Sequence, residues 1–91
     1  MNITILHPRL SGRYVTAEVV PTVTGGQLIA DLCNPQDGKP AFLEECPPGQ
    51  GYMLVDARSQ RKVEENETLD MAGVQEGATL RTVLDVNGYT G

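Results

Sequence analysis

The sequence predicts an α+β fold in which one main helix packs across a mixed sheet of about four or five strands. Two segments of alternating apolar residues, 2–7 and 13–20, flank a short turn that contains Gly12, as in a β-hairpin. Residues 24–32 have the apolar spacing of a short helix. Residues 78–86 (ATLRTVLDV) are rich in the residue types that strands favour, so we expect the chain to begin and end on the sheet.

The N-terminal hairpin has one apolar face. Ile3 and Ile5 lie on one side of the first strand because successive side chains alternate, and Thr4 and Leu6 lie on the other side. Pro8 ends this strand. The second strand also alternates, with the apolar residues Val15, Ala17 and Val19. One face of the hairpin is therefore expected to pack on the core and the other to face water.

The helix has a recognisable start and end. Thr24 is a candidate N-cap, and Gln27 follows three residues later, as in a capping box. Val23 and Leu28 are spaced to pack across the first turn. The apolar stripe that would face the sheet consists of Leu28, Ile29 and Leu32. We expect the helix to end before Pro35, because the residue that precedes a proline avoids helical ψ.

The middle of the chain is less regular. Residues 35–51 are rich in proline and glycine and predict a surface loop, with one helical turn expected at residues 41–46. Residues 52–55 (YMLV) predict a short strand. Residues 57–62 (ARSQRK) predict a polar turn, after which Val63 returns to the core.

The last part of the chain leads from a turn to a strand and then to a tail. Residues 66–69 (NETL) predict a turn in which a Thr or Asn side chain accepts from a main-chain N–H two or three residues later. Gly73 and Gly77 interrupt the connection to the last strand. We therefore expect a domain at residues 1–86 and a flexible tail at residues 87–91.

Composition narrows the classes of partner. The chain has 91 residues, which suits one domain, and a net charge of −5 from 12 acidic and 7 basic residues. Nucleic acid and anionic membranes are poor partners for such a charge, whereas a basic protein face is a better match. No apolar segment approaches the length of a membrane span, and no signal segment opens the sequence. We expect a cytoplasmic monomer.

Few residues indicate catalytic or metal chemistry. Cys33 and Cys46 do not form a C-x-x-C motif, so two free thiols in a reducing compartment are favoured over one disulfide. His7 is the only histidine, and a metal site is not expected. Gly25 and Gly26 lack the rest of a phosphate-binding loop, and no cofactor is expected. No nucleophile-base constellation is apparent, so the sequence does not predict an enzyme.

Several short motifs together resemble ubiquitin along nearly the whole chain, at low identity. They are the opening Ile3-Thr4-Ile5 with Ser11-Gly12, the spacing from Gly12 to Pro21, Thr24 before the helix, Thr68-Leu69, and the closing Thr79-Leu80-Arg81-Thr82-Val83-Leu84. The resemblance implies a ubiquitin-like β-grasp fold with the first and last strands parallel at the centre of the sheet. The divergent bacterial ubiquitin-like modifiers are the most similar group.

The resemblance also implies a partner-binding face on the outer side of the sheet. The residues at the matching positions are Leu10, Leu54, Arg81 and Val83. Arg58 joins this face if the basic residues of the polar turn, Arg58, Arg61 and Lys62, form a docking patch. The alternative for that turn is a solvated loop.

The function implied by the resemblance is that of a protein modifier. Gly91 would be adenylated by an ATP-dependent activating enzyme and joined to a target protein by an isopeptide bond. Glycine suits this because a chain end without Cβ can enter a narrow channel. The tail presented to the activating enzyme would be Asn87, Gly88, Tyr89 and Thr90. Further partners would be a conjugating enzyme and a deconjugating or processing protease, and Lys39 and Lys62 would be acceptors for chains.

Two departures leave other functions open. Thr90 stands where ubiquitin has the first glycine of its terminal pair, and Asp85 stands where a basic residue is expected. A dedicated activating enzyme is therefore implied. One alternative is a non-covalent ubiquitin-like adaptor of a bacterial secretion machine or another complex. The other is a sulfur carrier, in which the terminal glycine becomes a thiocarboxylate.

Overall fold

The computed structural model describes residues 1–35, 38, 40–44 and 50–86. Its elements, in chain order, are β1 (Asn2–Leu6), β2 (Tyr14–Glu18), α1 (Gly25–Leu32), β3 (Gln50–Asp56), β4 (Lys62–Val63) and β5 (Thr79–Val86). The five strands form one mixed sheet in the order β2-β1-β5-β3-β4. The α+β fold with one helix on a sheet is therefore confirmed. In the described part of the chain, no helix is long and apolar enough to cross a membrane.

The first and last strands lie side by side in the middle of the sheet. β1 pairs with β5 in parallel, with Ile5 opposite Leu80, and it pairs with β2 in antiparallel. On its other side β5 pairs in antiparallel along the whole of β3, from Asp56 opposite Leu80 to Gln50 opposite Val86. β5 is thus held by a neighbour on each side, and the implied parallel pair is present.

The helix begins as the sequence predicts. The Thr24 hydroxyl accepts from the Gln27 N–H at 3.2 Å, and the Gln27 side-chain oxygen accepts from the Thr24 N–H at the same distance. This reciprocal capping box satisfies donors that have no partner inside the helix. The helix ends at Leu32, three residues before Pro35, with Cys33 as its C-cap.

The two glycines of the first helical turn allow close main-chain packing. The Gly25 N–H donates to the Glu67 carbonyl and the Gly26 N–H to the Glu65 carbonyl, both at 3.0 Å. A Cβ on Gly25 would lie 2.7 Å from the Glu64 carbonyl oxygen, which is closer than real Cβ atoms come. Glycine here permits the helix start to lie against the segment before β5.

The core lies between α1 and one face of the sheet. Its fully buried side chains come from β1, β3, β5 and two connections: Ile3, Ile5, Leu43, Leu54, Leu69 and Leu80. Leu28 and Leu32 of α1 pack against them. The Leu43 N–H donates to the Leu32 carbonyl at 3.0 Å, which fixes that connection to the end of the helix.

Three local expectations need correction. The helical turn at residues 41–46 is wrong in its described part, since Ala41, Phe42, Leu43 and Glu44 are not helical and Leu43 instead fills the core. Cys46 lies outside the described residues. β3 extends beyond residues 52–55 at both ends, and Lys62, expected in the polar turn, lies in β4.

Candidate partner-binding face

The sheet face opposite α1 is crossed by a row of five residues, one from each strand. Residues paired across neighbouring strands lie on the same face. The pairings join Tyr14 to Leu6, Leu6 to Arg81, Arg81 to Val55 and Val55 to Lys62. We call this set the outer row. It places an arginine at the centre of the sheet, between two aliphatic side chains.

Leu10 lies in the β1–β2 turn and is 52% exposed. Its main chain is fixed by His7, whose Nδ1 accepts from the Leu10 N–H at 3.0 Å and from the Arg9 N–H at 3.1 Å. The His7 ring meets the Phe42 ring edge-on, with centroids 5.3 Å apart. The turn that presents Leu10 is therefore held by an imidazole that must keep Nδ1 unprotonated.

The environment of His7 favours this neutral form. Desolvation lowers the pKa of His7 from 6.5, and the positive charges of Arg13 and Arg9 lower it further. Glu44 acts in the opposite direction. Arg13 also lies over the Phe42 ring, with its guanidinium carbon 5.8 Å from the centroid. The hydrogen bonds to Nδ1 and the lowered pKa are consistent with each other.

Arg81 is exposed and holds the β3–β4 turn. Its Nη2 donates to the Gln60 side-chain oxygen at 3.2 Å, and within the described residues it forms no ion pair. Val83 is half-buried and pairs with Met53. These two apolar side chains lie beside the outer row, on the same face of the sheet. Arg58 is exposed in the β3–β4 turn.

The position assigned to Leu54 is wrong. Leu54 is 0% exposed and lies on the core side of β3, opposite Thr82. Since side chains alternate along a strand, the outer position belongs to Val55, which pairs with Arg81. Val55 is itself only 9% exposed. A shift of one residue moves a side chain to the other face of a sheet. The polar turn after β3 left the alignment of this strand uncertain by one residue.

Besides Val55, two members of the outer row were not singled out from the sequence. Tyr14 is 62% exposed, and Leu6 is half-buried beside it. The alternation of the hairpin places both on the face away from Ile3 and Ile5. The signal that could have found them is the hairpin register, which sets Tyr14 opposite Leu6.

The basic residues of the β3–β4 region do not form one common patch. Arg61 donates to the Glu67 carboxylate at 2.7 Å and to the Met71 carbonyl at 3.2 Å, so it ties the turn to the following connection. Lys62 lies 3.8 Å from Glu64, and its side chain is 45% exposed. Lys39 and the tail residues Asn87, Gly88, Tyr89, Thr90 and Gly91 lie outside the described residues.

Comparison with known proteins gives a fold-level relative. No protein-family model matches the sequence, and none of the curated proteins matches it. The structure is similar to that of a ubiquitin-like protein from the hyperthermophilic archaeon Caldiarchaeum subterraneum, with a TM-score of 0.54 and 25% sequence identity. The match covers 97% of this chain and 100% of the archaeal one. Together with the parallel central strands and the helix α1, this similarity identifies the chain as having the ubiquitin-like β-grasp fold.

Proposed function

We propose that this chain is a non-enzymatic ubiquitin-like modifier that is activated at the carboxylate of Gly91 and joined to target proteins. In the first step a Gly91 carboxylate oxygen attacks the α-phosphorus of ATP, and pyrophosphate leaves. An enzyme thiolate then attacks the acyl carbon, and AMP leaves. Finally a target amine displaces the thiolate and loses a proton, which leaves an amide bond. The chain supplies only the carboxylate, and its activating and conjugating enzymes supply the catalytic groups.

The observation that supports this proposal most is the position of β5. This strand is paired on both sides along part of its length and with β3 up to Val86, and five residues follow it in the sequence. A firmly held central strand is a suitable base from which to present a chain end to an enzyme. Gly91 lacks a Cβ, which suits passage through a narrow channel.

The outer row supports a second part of the proposal, the recognition of partners. It combines the exposed aromatic ring of Tyr14 with Leu6, the Arg81 cation and Val55. Leu10, in the turn that joins β1 and β2, is 52% exposed. Large side chains of this kind, with an arginine among them, are typical of interface centres. We propose that enzymes of the conjugation pathway or receptors of the modified protein bind here. We include Arg58, which is exposed in the β3–β4 turn, in this proposed face.

The test is activation of the chain that ends at Gly91. The protein is incubated with ATP and its cognate activating enzyme, and adducts are measured by mass spectrometry. We expect a Gly91 adenylate or an enzyme thioester, and none from the matched protein that lacks Gly91. Failure to form an adduct with any such enzyme would overturn the proposal.

A deletion distinguishes the modifier from a non-covalent adaptor. Removal of residues 87–91 keeps all six helices and strands of the described fold intact in sequence, since the last of them, β5, ends at Val86. A modifier loses its cellular function in this variant, whereas an adaptor that binds through the sheet keeps it. Persistence of function after the deletion would therefore favour the adaptor. In conjugates, a branched peptide at Lys39 or Lys62 would identify the acceptor lysine for chains.

A further inference from the structure

A cleft among the described residues lies at the start of β5, at the end of this strand away from Val86. It has a volume of about 600 Å³. Its walls come from the end of β3, the β3–β4 turn and the connection that enters β5, and they include Asp56, Arg58, Glu76 and Gly77. β5 has 8 residues, so at roughly 3.3 Å per residue the cleft and the C-terminal end of the strand lie about 25 Å apart.

Asp56 is an unusual residue for its position. It pairs with Leu80 on the core side of the sheet, two residues after Leu54 on the same face of β3, and it is only 7% exposed. Both of these neighbours are completely buried and apolar. Carboxylates are seldom buried unless they are paired, because removing a charge from water is costly.

The hydrogen bonds of Asp56 account for only one of its oxygens. Oδ1 accepts from the Arg58 N–H at 2.9 Å, which closes the turn after β3. Asparagine would make the same bond, so the turn does not explain the negative charge. Within the described residues Oδ2 has no hydrogen bond and Asp56 forms no ion pair, yet Oδ2 is not among the enclosed unpartnered atoms. Oδ2 is therefore not fully enclosed, and Asp56 is one of the residues that line the cleft.

A second carboxylate lies at the same cleft. Glu76 is exposed, and its Oε2 accepts from the Asn2 N–H at 3.0 Å, which fixes the side chain. Arg58 is the only basic residue among the described residues that line the cleft. Its guanidinium group forms no ion pair with the Asp56 carboxylate. Two carboxylates and one cation leave the cleft with a net negative charge. Among the described residues no group of three or more His, Cys, Asp or Glu side chains is arranged to hold a metal ion.

We propose that this cleft binds a basic side chain, lysine or arginine, of a partner protein. The ammonium or guanidinium group donates to Oδ2 of Asp56, and the Glu76 carboxylate adds attraction at the rim. A charged donor is the group that a largely buried carboxylate with one unused oxygen is best able to bind. A basic partner is also electrostatically complementary to this chain, which has a net charge of −5. This site does not depend on the proposed conjugation of Gly91.

The test uses small basic probes and the isolated ¹⁵N-labelled protein. N-acetyl-lysine amide and N-acetyl-arginine amide are titrated while amide chemical shifts are followed by NMR. Saturable shifts are expected at Ala57, Arg58 and Gly77, and N-acetyl-norleucine amide, which lacks the charge, should produce none. Asp56→Asn keeps the Oδ1 acceptor and removes the charge. It should weaken binding by about tenfold or more, because the hydrogen bond between two charged groups is lost.

Two further variants complete the design. Asp70→Asn removes an exposed carboxylate outside the cleft and should leave binding unchanged. Glu76→Gln keeps an acceptor for Asn2 and should weaken binding by a smaller factor, which provides a readout even if Asp56→Asn does not fold. The proposal is overturned by absent or non-saturable shifts, by equal binding of norleucine, or by unchanged affinity in both cleft variants. Preferential binding of N-acetyl-glutamate amide would instead indicate an anion site at Arg58.

Discussion

Arg81 and Gln60 join the last strand to the β3–β4 turn through a hydrogen bond of 3.2 Å from Nη2 to the side-chain oxygen. The same Gln60 side chain donates to the Ala57 carbonyl at 3.0 Å. Gln60 has a φ of +62°, in the left-handed region that favours glycine. The turn thus combines an unfavourable main-chain conformation with side-chain contacts that hold it.

Replacing Gln60 separates these two contributions. Gln60→Gly and Gln60→Ala both lose the contacts to Arg81 and Ala57, but only glycine adopts the positive φ without steric cost. We expect Gln60→Gly to be more stable than Gln60→Ala by about 1 kcal/mol in the free energy of unfolding, measured in urea. Equal stability of the two variants would show that the positive φ costs little here.

Substitution of Gly25 should disturb the start of the helix. The new Cβ of Gly25→Ala would lie 2.7 Å from the Glu64 carbonyl oxygen and 3.2 Å from Val63 Cγ1. We expect a loss of about 1–3 kcal/mol in the free energy of unfolding, which lowers Tm by roughly 4–8 °C per kcal/mol for a domain of this size.

Gly51→Ala is the matched control for that substitution. A Cβ at Gly51 meets no atom within 4 Å, and Gly51 does not have a positive φ. Its Tm should stay close to that of the unmodified protein. Similar losses in the two variants would contradict close packing at the helix start.

The reassignment of Leu54 to the core is open to a stability test. Leu54→Ala creates a cavity at a completely buried position and should lower the free energy of unfolding by about 2–5 kcal/mol. Leu10→Ala alters a side chain that is 52% exposed and should remain within about 0.5 kcal/mol. Urea unfolding of both variants makes the comparison, and a small loss for Leu54→Ala would argue against its burial.

Thr82 offers a route to higher stability. It is 4% exposed, and its hydroxyl has no hydrogen-bond partner among the described residues. Thr82→Val keeps the shape and removes an unpaired polar group, so the free energy of unfolding should rise by about 1 kcal/mol or more. Thr16→Val, at an exposed position of β2, serves as the control for strand propensity. An equal or greater gain at Thr16 would attribute the effect to propensity.

His7 should make stability depend on pH near neutrality. Its pKa is lowered in the folded state from 6.5, chiefly by desolvation, so the unfolded chain binds more protons between the two pKa values. Stability therefore rises with pH across that window. The His7 contribution is fully present above pH 6.5 and is lost as the pH falls through the folded pKa.

The measurement is urea unfolding from about pH 8 to about pH 5 for the unmodified protein and for His7→Asn. Asparagine can accept from the Arg9 and Leu10 main chain but does not titrate in this range. The stability difference between the two proteins should be flat above pH 6.5 and change below it. Parallel curves throughout the range would exclude a role for His7.

Local sequence patterns predicted most of the fold. The alternation of the hairpin, the Thr24–Gln27 capping box and the Thr68 turn depend on neighbours in the chain. Thr68 indeed accepts from the Met71 N–H at 3.2 Å, three residues later. Such features can be predicted from the sequence because local geometry fixes their period or spacing.

Features that depend on distant contacts were harder to predict. The glycine pair at the helix start is explained by the approach of Glu64 and Glu65, about forty residues later, and no local motif announces that contact. The outer row could be identified only from the register of β3 against β5. From the sequence, the alignment of this short strand was uncertain by one residue because the polar turn that follows it is long. From its neighbours in the sequence, Asp56 is expected to be a turn residue. Only its pairing with Leu80 in the sheet shows that it is buried.

The parallel arrangement of β1 and β5 has a mechanical consequence. When β1 is pulled from its N-terminal end and β5 from its C-terminal end, the two strands are forced to slide along each other. The hydrogen bonds between them are then loaded together instead of opening one by one from an end. A load applied between the start of β1 and the end of β5 is therefore opposed by all the hydrogen bonds of this strand pair at once.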